Sequence, residues 1–307
     1  MASKNSSNLR SASHAGSWYT GDGSILNDEL NGWLSAVTLD EPYPIQGCKA
    51  VIAPHAGYTY SGPAAAWAYK SIDTKSIKRV FILGPVAHCQ GCEEYETPIG
   101  NLPLDLDKLR ATNQFEALAQ EDDEAEHSLE MHLPYVRKMF EGKDISIVPI
   151  VVGSVSKEDE AAYGALLAPY LDREDTFCVI SSDFCHWGTR FSYTFYYPSS
   201  TPGTAGVRLT RSLTTSANPI HTSIGQLDHE AMDILTLPPA EAHTEFAAYL
   251  SKTRNTICGR HPIGVLLGAM TALGKESRLK WVRYEQSSAC ETLRDSSVSY
   301  ASAWVTF

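Results

Sequence analysis

Four short segments of the chain are almost continuously apolar and rich in β-branched residues. They lie at 50–53, 79–83, 146–152 and 176–180. Runs of this kind are typical of strands that are buried on both faces of a parallel sheet. The stretches rich in Ala, Leu, Glu or Lys, which predict helices, lie at 63–70, 108–118, 127–140 and 158–171. Because strands and helices alternate along the chain, the pattern predicts an α/β fold.

Two later segments, 279–284 and 298–305, alternate more clearly between apolar and polar residues, and no helical pattern separates them. Such segments predict antiparallel strands added to the same sheet. We therefore expect residues 1–307 to form one α/β domain, with a central mixed, largely parallel sheet flanked by helices. Segment 198–218 is built mainly from Ser, Thr, Pro and Gly, which predicts a mobile surface insertion.

Composition and charge limit the classes of function that the sequence allows. The 307 residues are 43% hydrophobic and 20% charged, as in an ordinary globular protein, and the net charge of −11 argues against a nucleic-acid partner. The polar start lacks the apolar core of a secretory signal, and no apolar run approaches the roughly 18 residues of a membrane-spanning helix. We therefore expect a cytoplasmic protein without a membrane span. Seven cysteines, an odd number, argue against a secreted disulfide framework.

Histidine and aspartate follow three of the predicted strands. His55 comes after the first strand, His88 after the second, and Asp183 and His186 after the fourth. The carboxyl ends of parallel strands meet at one edge of a sheet, where functional groups collect. The sequence therefore predicts a polar site at this edge.

Cys258 adds a fourth contribution to this site. It lies just before an apolar helical pattern whose start is marked by Pro262. The positive end of the helix dipole and the neighbouring Arg260 are expected to favour its thiolate form, which binds metal. By contrast, His127 and His132 are five residues apart and do not form an i,i+4 metal-binding pair. For His127 we expect a hydrogen bond at the start of a helix.

Several common catalytic motifs are missing from the sequence. It contains no Gly-x-Ser-x-Gly, no His-Glu-x-x-His and no Gly-x-x-x-x-Gly-Lys-Ser/Thr motif. The α/β-hydrolase, zincin and P-loop classes are therefore excluded. Cys-Gln-Gly-Cys at 89–92 is a weak zinc signal, because no second ligand pair accompanies it.

Six segments together resemble one known family. They are Ser-His-Ala-Gly-Ser-Trp-Tyr at 13–19, Ala-Pro-His-Ala-Gly-Tyr-Thr-Tyr at 53–60, Glu-His-Ser-Leu-Glu-Met-His-Leu-Pro-Tyr at 126–135, Ser-Ser-Asp-Phe-Cys-His-Trp-Gly at 181–188, Cys-Gly-Arg-His-Pro-Ile-Gly-Val at 258–265, and Gln-Ser-Ser at 286–288 with Asp-Ser-Ser-Val-Ser-Tyr at 295–300. In this order and over nearly the whole chain they resemble the Memo family, the mediators of ErbB-driven cell motility.

The resemblance implies a fold similar to that of the class III extradiol dioxygenases. It also implies an iron or copper ion bound by two histidines and a cysteine, of which His55 and Cys258 match the family motifs. Asp183 and His186 would line the same site as its catalytic residues. The implied function is a redox-linked role in signalling, the cytoskeleton and cell motility or polarised growth, with a copper- or iron-dependent oxidoreductase as one form of it. The His-His-thiolate set also suits zinc, which we consider less favoured than iron or copper.

The second histidine ligand is where this sequence departs from the family. The family pattern is Gly-Pro-Ser-His-His, whereas residues 84–88 are Gly-Pro-Val-Ala-His, so that Ala87 stands at the ligand position. His88 is our candidate for the missing ligand. Cys89 in its place, a site that has lost one ligand, and a gene-model error in this shortened segment are the alternatives, and the sequence does not choose among them.

Two other function classes remain open. In the first, the pocket is an adaptor site for a phosphotyrosine peptide or signalling protein, with Trp18, Tyr58 and Tyr60 as an aromatic surface and Arg260 as the anion contact. In the second, the protein is a metal-dependent hydrolase, and Asp183 or His186 acts as general base. The nucleus is a second compartment to consider beside the cytoplasm.

Overall fold

The structure is a computed structural model. It describes residues 8–38, 40–84, 92–106, 112, 114–115, 119–201, 203–210 and 218–307. The candidate ligands His88 and Cys89 lie outside the described residues, as do most of the predicted helix 108–118 and part of the predicted insertion 198–218. The predictions for these segments stay predictions.

The described strands and helices follow one another in the alternating order that the sequence predicts. The strands are β1 (Leu9–Arg10), β2 (Cys48–Ala53), β3 (Arg79–Gly84), β4 (Glu94–Tyr95), β5 (Leu102–Pro103), β6 (Ser146–Val151), β7 (Thr176–Ser181), β8 (Asp183–Trp187), β9 (Phe195–Tyr196), β10 (Val207–Arg208), β11 (Arg278–Gln286) and β12 (Ser297–Thr306). The α-helices are Gly23–Ala36, Tyr58–Tyr69, Gln120–Glu124, Leu133–Met139, Lys157–Leu171, Ile220–Leu235, Pro239–Thr253 and Arg260–Leu273, with short 3-10 helices at Glu130–His132 and Thr189–Phe191.

A mixed sheet in the order β11-β12-β2-β7-β3-β6 forms the centre of the domain. Strands β2, β7, β3 and β6 are parallel to one another, whereas β12 runs antiparallel to β2, β8 and β11. This confirms the predicted single α/β domain and the antiparallel addition of the last two strands. The likeness to the extradiol dioxygenases stays a prediction.

Helices cover both faces of the sheet, as the continuous apolar strands require. Along β2, Ala50 and Ile52 belong to one hydrophobic core, and Val51 and Ala53 belong to the other. The first core is closed by the four helices between residues 157 and 273. The second is closed mainly by Gly23–Ala36, Tyr58–Tyr69 and Leu133–Met139.

Glycines allow one pair of helices, and the loop that precedes the second of them, to pack very closely. A Cβ atom at Gly164 would lie 2.4 Å from the backbone nitrogen of Ala269 in helix Arg260–Leu273. A Cβ atom at Gly259 would lie 2.3 Å from the carbonyl oxygen of Ser181 at the end of β7. Helix Arg260–Leu273 is therefore packed directly against helix Lys157–Leu171, and the loop before it against the end of β7, where no side chain would fit.

Two boundaries differ from the sequence pattern. Residues 183–187, which follow the fourth predicted strand and were not predicted as a strand, form β8 because they pair with β12. The helix predicted over 127–140 begins later, since Glu126 accepts the backbone N–H groups of Ser128 and Leu129 in the preceding turn. No helix in the described part of the chain is both long enough and apolar enough to cross a bilayer.

Candidate functional site

A cavity of about 610 Å³ opens at the carboxyl ends of β2 and β7, and we call it the strand-end cavity. Its wall brings together residues that lie far apart in the chain, among them His55, His127, Asp183, His186, Cys258 and Tyr300. Trp18 and Tyr60, exposed by 38% and 59%, also line it. The predicted meeting of His55, Asp183, His186 and Cys258 at one edge of the sheet is therefore observed.

His55 is held in one tautomer by its neighbours. The hydroxyl of Ser181 donates to the carbonyl oxygen of Ser128 at 2.8 Å, so it can only accept from Nδ1 of His55, which lies 2.7 Å away. Nδ1 therefore carries the proton, and Nε2 keeps a free lone pair. Burial lowers the pKa of His55 well below its ordinary value, with smaller contributions from His127 and His186, so the ring is neutral.

His186 also donates through Nδ1. This nitrogen lies 3.0 Å from the carbonyl oxygen of Phe184 and 3.1 Å from that of Thr256, which can only accept hydrogen bonds. Nδ1 therefore carries a proton, and Nε2 lies 3.6 Å from Sγ of Cys258. The thiol of Cys258 can donate its hydrogen to this nitrogen.

Cys258 is a thiol in this environment, not the predicted thiolate. Burial raises its pKa to about 12, the charge of Asp183 acts in the same direction, and the favourable effect of Arg260 is smaller than both. The expectation of a thiolate from the helix dipole and Arg260 was wrong because it left out desolvation, which opposes the charged form.

Asp183, the first residue of β8, bonds to the segment that follows β2. Its Oδ1 accepts the backbone N–H of His55 at 2.8 Å, and its Oδ2 lies 4.0 Å from His55 Nε2. Burial raises the pKa of Asp183 to about 6, although His186 and the backbone hydrogen bonds partly oppose this shift. The backbone carbonyl of Asp183 also accepts from the N–H of Cys258 at 3.1 Å, which fixes the thiol beside the carboxylate.

His127 is the site residue that the sequence analysis missed. Its ring lies between those of Trp18 and His55, with centroid distances of 4.6 Å and 5.5 Å. The expected helix-start hydrogen bonds are made by Glu126 instead. The sequence offered one signal, since His127 belongs to the 126–135 segment that resembles the family, but its turn directs the ring toward the cavity in a way that spacing does not reveal.

Two predicted ligand-binding residues lie elsewhere. Tyr58 is only 3% exposed, and its hydroxyl donates to the carbonyl oxygen of Met131 inside the core. Its backbone N–H donates to the carbonyl oxygen of Trp18 at 2.8 Å, so Tyr58 positions that aromatic residue rather than lining the cavity. Arg260 lines a different cavity, on the other side of its loop.

The donors present suit a soft or borderline metal ion, because imidazole nitrogen and cysteine sulfur are the ligands of copper(I), iron(II) and zinc. The imidazoles of His55 and His186 and the sulfur of Cys258 border the same cavity. Among the described residues, however, no group of three or more His, Cys, Asp or Glu side chains is arranged closely enough to hold a metal ion. The described donors fit in kind, but they do not form a complete site.

Comparison with known proteins identifies the family. Residues 10–304 match the model of the Memo-like protein family. The chain is 45% identical to Protein MEMO1 of Xenopus tropicalis, over 95% of each chain, and 42% identical to Protein MEMO1 of Homo sapiens, over 97% of each chain. It is also 40% identical to Protein memo-1 homolog of Caenorhabditis elegans, over 95% of this chain and 81% of that one. On these matches, the chain belongs to the Memo family.

Proposed function

We propose that the strand-end cavity binds copper(I) or iron(II) through His55 and Cys258, and that the protein acts through this site in redox-linked signalling. The observation that supports it is the tautomer of His55, whose Nδ1–H is donated to Ser181 while Nε2 is left free. Metal-binding histidines are held in this way, with the second ring nitrogen donating to a neighbouring acceptor. His88 stays our prediction for the third donor.

The residues around His55 and Cys258 each have a defined role in this proposal. Copper or iron held here would supply one-electron redox chemistry. Ser181 orients the His55 ring, and Nε2 of His186 is the acceptor placed to receive the proton that Cys258 must lose when its sulfur binds a metal. Asp183 supplies a negative charge beside both ligands. An oxidoreductase of extradiol-dioxygenase type is the form of activity that we propose to test, with signalling to the cytoskeleton, cell motility or polarised growth as its cellular setting.

Anaerobic titration of the purified protein with copper(I) and iron(II), followed by elemental analysis, tests the proposal. We expect about one ion per chain in the wild type and its loss in His55→Ala and Cys258→Ala. Cys290→Ala is the matched control, because Cys290 is also a buried free thiol but does not line the cavity. Unchanged metal affinity in Cys258→Ala would overturn the proposal. His88→Ala tests the third donor in the same titration.

An adaptor function is a second candidate, and Arg190 is the observation that favours it. Arg190 lines the strand-end cavity and is exposed, and no carboxylate of the described residues lies within ion-pair distance of it. With Trp18 and Tyr60 at the same cavity, it offers the cation and aromatic surface that a phosphotyrosine peptide would contact. In this arrangement Arg190 takes the anion-binding role that the sequence analysis gave to Arg260.

Fluorescence anisotropy with a labelled phosphotyrosine peptide tests this second candidate. We expect Arg190→Gln to weaken binding about tenfold, with the unphosphorylated peptide as control. Equal binding of the two peptides would contradict it.

The hydrolase alternative, with Asp183 or His186 as general base, requires the same metal and therefore depends on the metal titration. We place the protein in the cytoplasm, with the nucleus as a second compartment.

A further inference from the structure

A second cavity, of about 560 Å³, lies on the other side of the loop that carries Cys258, and we call it the Glu160 cavity. It is bordered by helices Lys157–Leu171 and Pro239–Thr253, by the loop that joins the latter to the next helix, and by the start of helix Arg260–Leu273. Its volume is in the range of small-molecule sites, which is roughly 300–1,000 Å³. None of the residues assigned to the proposed metal site lines it.

Positive charge collects around this cavity although the chain as a whole carries a net charge of −11. Lys157, Arg254 and Arg260 line it, and none of the three forms an ion pair with a described carboxylate. Lys157 donates only to the hydroxyl of Thr244, at 3.0 Å, among its described hydrogen bonds. Three unpaired cations around one concave surface attract an anion that carries more than one charge.

Glu160 forms no ion pair with these cations. Among the described lining residues it is the one carboxylate, and its two oxygens bond to histidines. Oε2 lies 2.7 Å from Nε2 of His243, and Oε1 lies 2.6 Å from Nδ1 of His261. Since a carboxylate can only accept, each histidine donates an N–H to it. Lys157, Arg254 and Arg260 outnumber this one carboxylate, so the cavity wall keeps a net positive charge that favours an anion.

We propose that the Glu160 cavity binds a small phosphorylated molecule. Lys157, Arg254 and Arg260 hold the phosphate, because arginine and lysine bind phosphate oxygens through charge-assisted hydrogen bonds. This site is separate from the proposed metal site and does not depend on the proposed function.

Isothermal titration calorimetry with inorganic phosphate and with glycerol 3-phosphate tests this proposal on the full-length protein. We expect one site per chain with a dissociation constant at or below about 1 mM for both probes, because both present a phosphate group to the three cations. Arg254→Gln and Arg260→Gln should each weaken binding about tenfold. Arg254 is exposed, so this variant is expected to fold even if Arg260→Gln does not.

Lys252→Gln is the matched control, since Lys252 is an exposed cation near the end of the same helix but lies outside the cavity. It should leave phosphate affinity unchanged. The proposal would be overturned if phosphate did not bind at about 10 mM. It would also be overturned if Lys252→Gln and Arg254→Gln lost the same amount of phosphate affinity. Succinate that binds as tightly as phosphate would overturn the assignment to phosphorylated ligands.

Discussion

The strand-end cavity and the Glu160 cavity share one loop but differ in charge. In the first, burial keeps His55 neutral and Cys258 protonated. In the second, three cations surround a carboxylate that is already bonded to two histidines. Cys258 and Arg260 are two residues apart, yet they line different cavities. The difference shows that the direction of each side chain at a helix start, rather than its place in a motif, decides which chemistry it serves.

The close packing of two helices should be the feature on which both cavities depend most. Gly164→Ala places a methyl group against the backbone of helix Arg260–Leu273. We expect it to lower the free energy of unfolding by about 3 kcal/mol, as overpacking against rigid neighbours does. Urea denaturation measures the loss, and metal and phosphate binding should weaken together. Weakening of one cavity alone would contradict the view that this contact fixes the shared loop.

Glu160→Gln should damage the Glu160 cavity alone. Gln cannot accept two N–H groups as the carboxylate does, so we expect a loss of about 2 kcal/mol at pH 7. Although burial on its own would raise it, the hydrogen bonds from His243 and His261 hold the pKa of Glu160 below its ordinary value of 4.5. The stability that it contributes is therefore present above pH 4.5 and is lost as the pH falls through the lower folded-state pKa.

Urea denaturation at pH 7 and at lower pH measures this effect, and the difference between wild type and variant should shrink below pH 4.5. Glu158→Gln is the control, because Glu158 is exposed on the first turn of the same helix. A copper(I) affinity that falls in Glu160→Gln as much as in Cys258→Ala would show that the two cavities are not independent.

Ser181→Ala should affect only the strand-end cavity. It removes the hydroxyl that accepts from Nδ1 of His55 and frees the ring to change tautomer. We expect copper(I) affinity to fall about tenfold, the usual cost of losing a partner that orients a metal-binding histidine. Ser302→Ala is the control, since its buried hydroxyl donates to the carbonyl oxygen of Ala64 away from the cavity. Equal copper(I) affinity in the two variants would count against the assigned tautomer.

Gly32→Ala lies outside both cavities and should have the smallest effect. Apart from the backbone of its own helix, no described atom lies within 4 Å of the position that its Cβ would take in helix Gly23–Ala36. We expect a gain of about 0.5–1 kcal/mol in the free energy of unfolding, because alanine loses less backbone entropy than glycine in a helix. Thermal or urea denaturation measures it. A change in metal or phosphate affinity would mean that binding follows global stability.

The sequence was sufficient to predict the central strands of the sheet. Strands that are buried on both faces need apolar residues along their whole length, and this pattern is visible in the sequence. The sequence also predicted that His55, Asp183, His186 and Cys258 lie at one site, since the carboxyl ends of parallel strands meet at one edge of a sheet. It could not predict the placement of His127, Tyr58 and Arg260, because each depends on a turn or helix start whose geometry is set by distant contacts. The pKa of Cys258 was out of reach for the same reason, since desolvation is a property of the folded structure.

The most direct test of the two-cavity account is one crystal structure of the protein grown anaerobically with copper(I) and phosphate, with data collected at the copper edge. The account predicts an anomalous peak between His55 and Cys258, and phosphate density among Lys157, Arg254 and Arg260. A map with no copper beside Cys258, or with phosphate in the strand-end cavity instead, would contradict it.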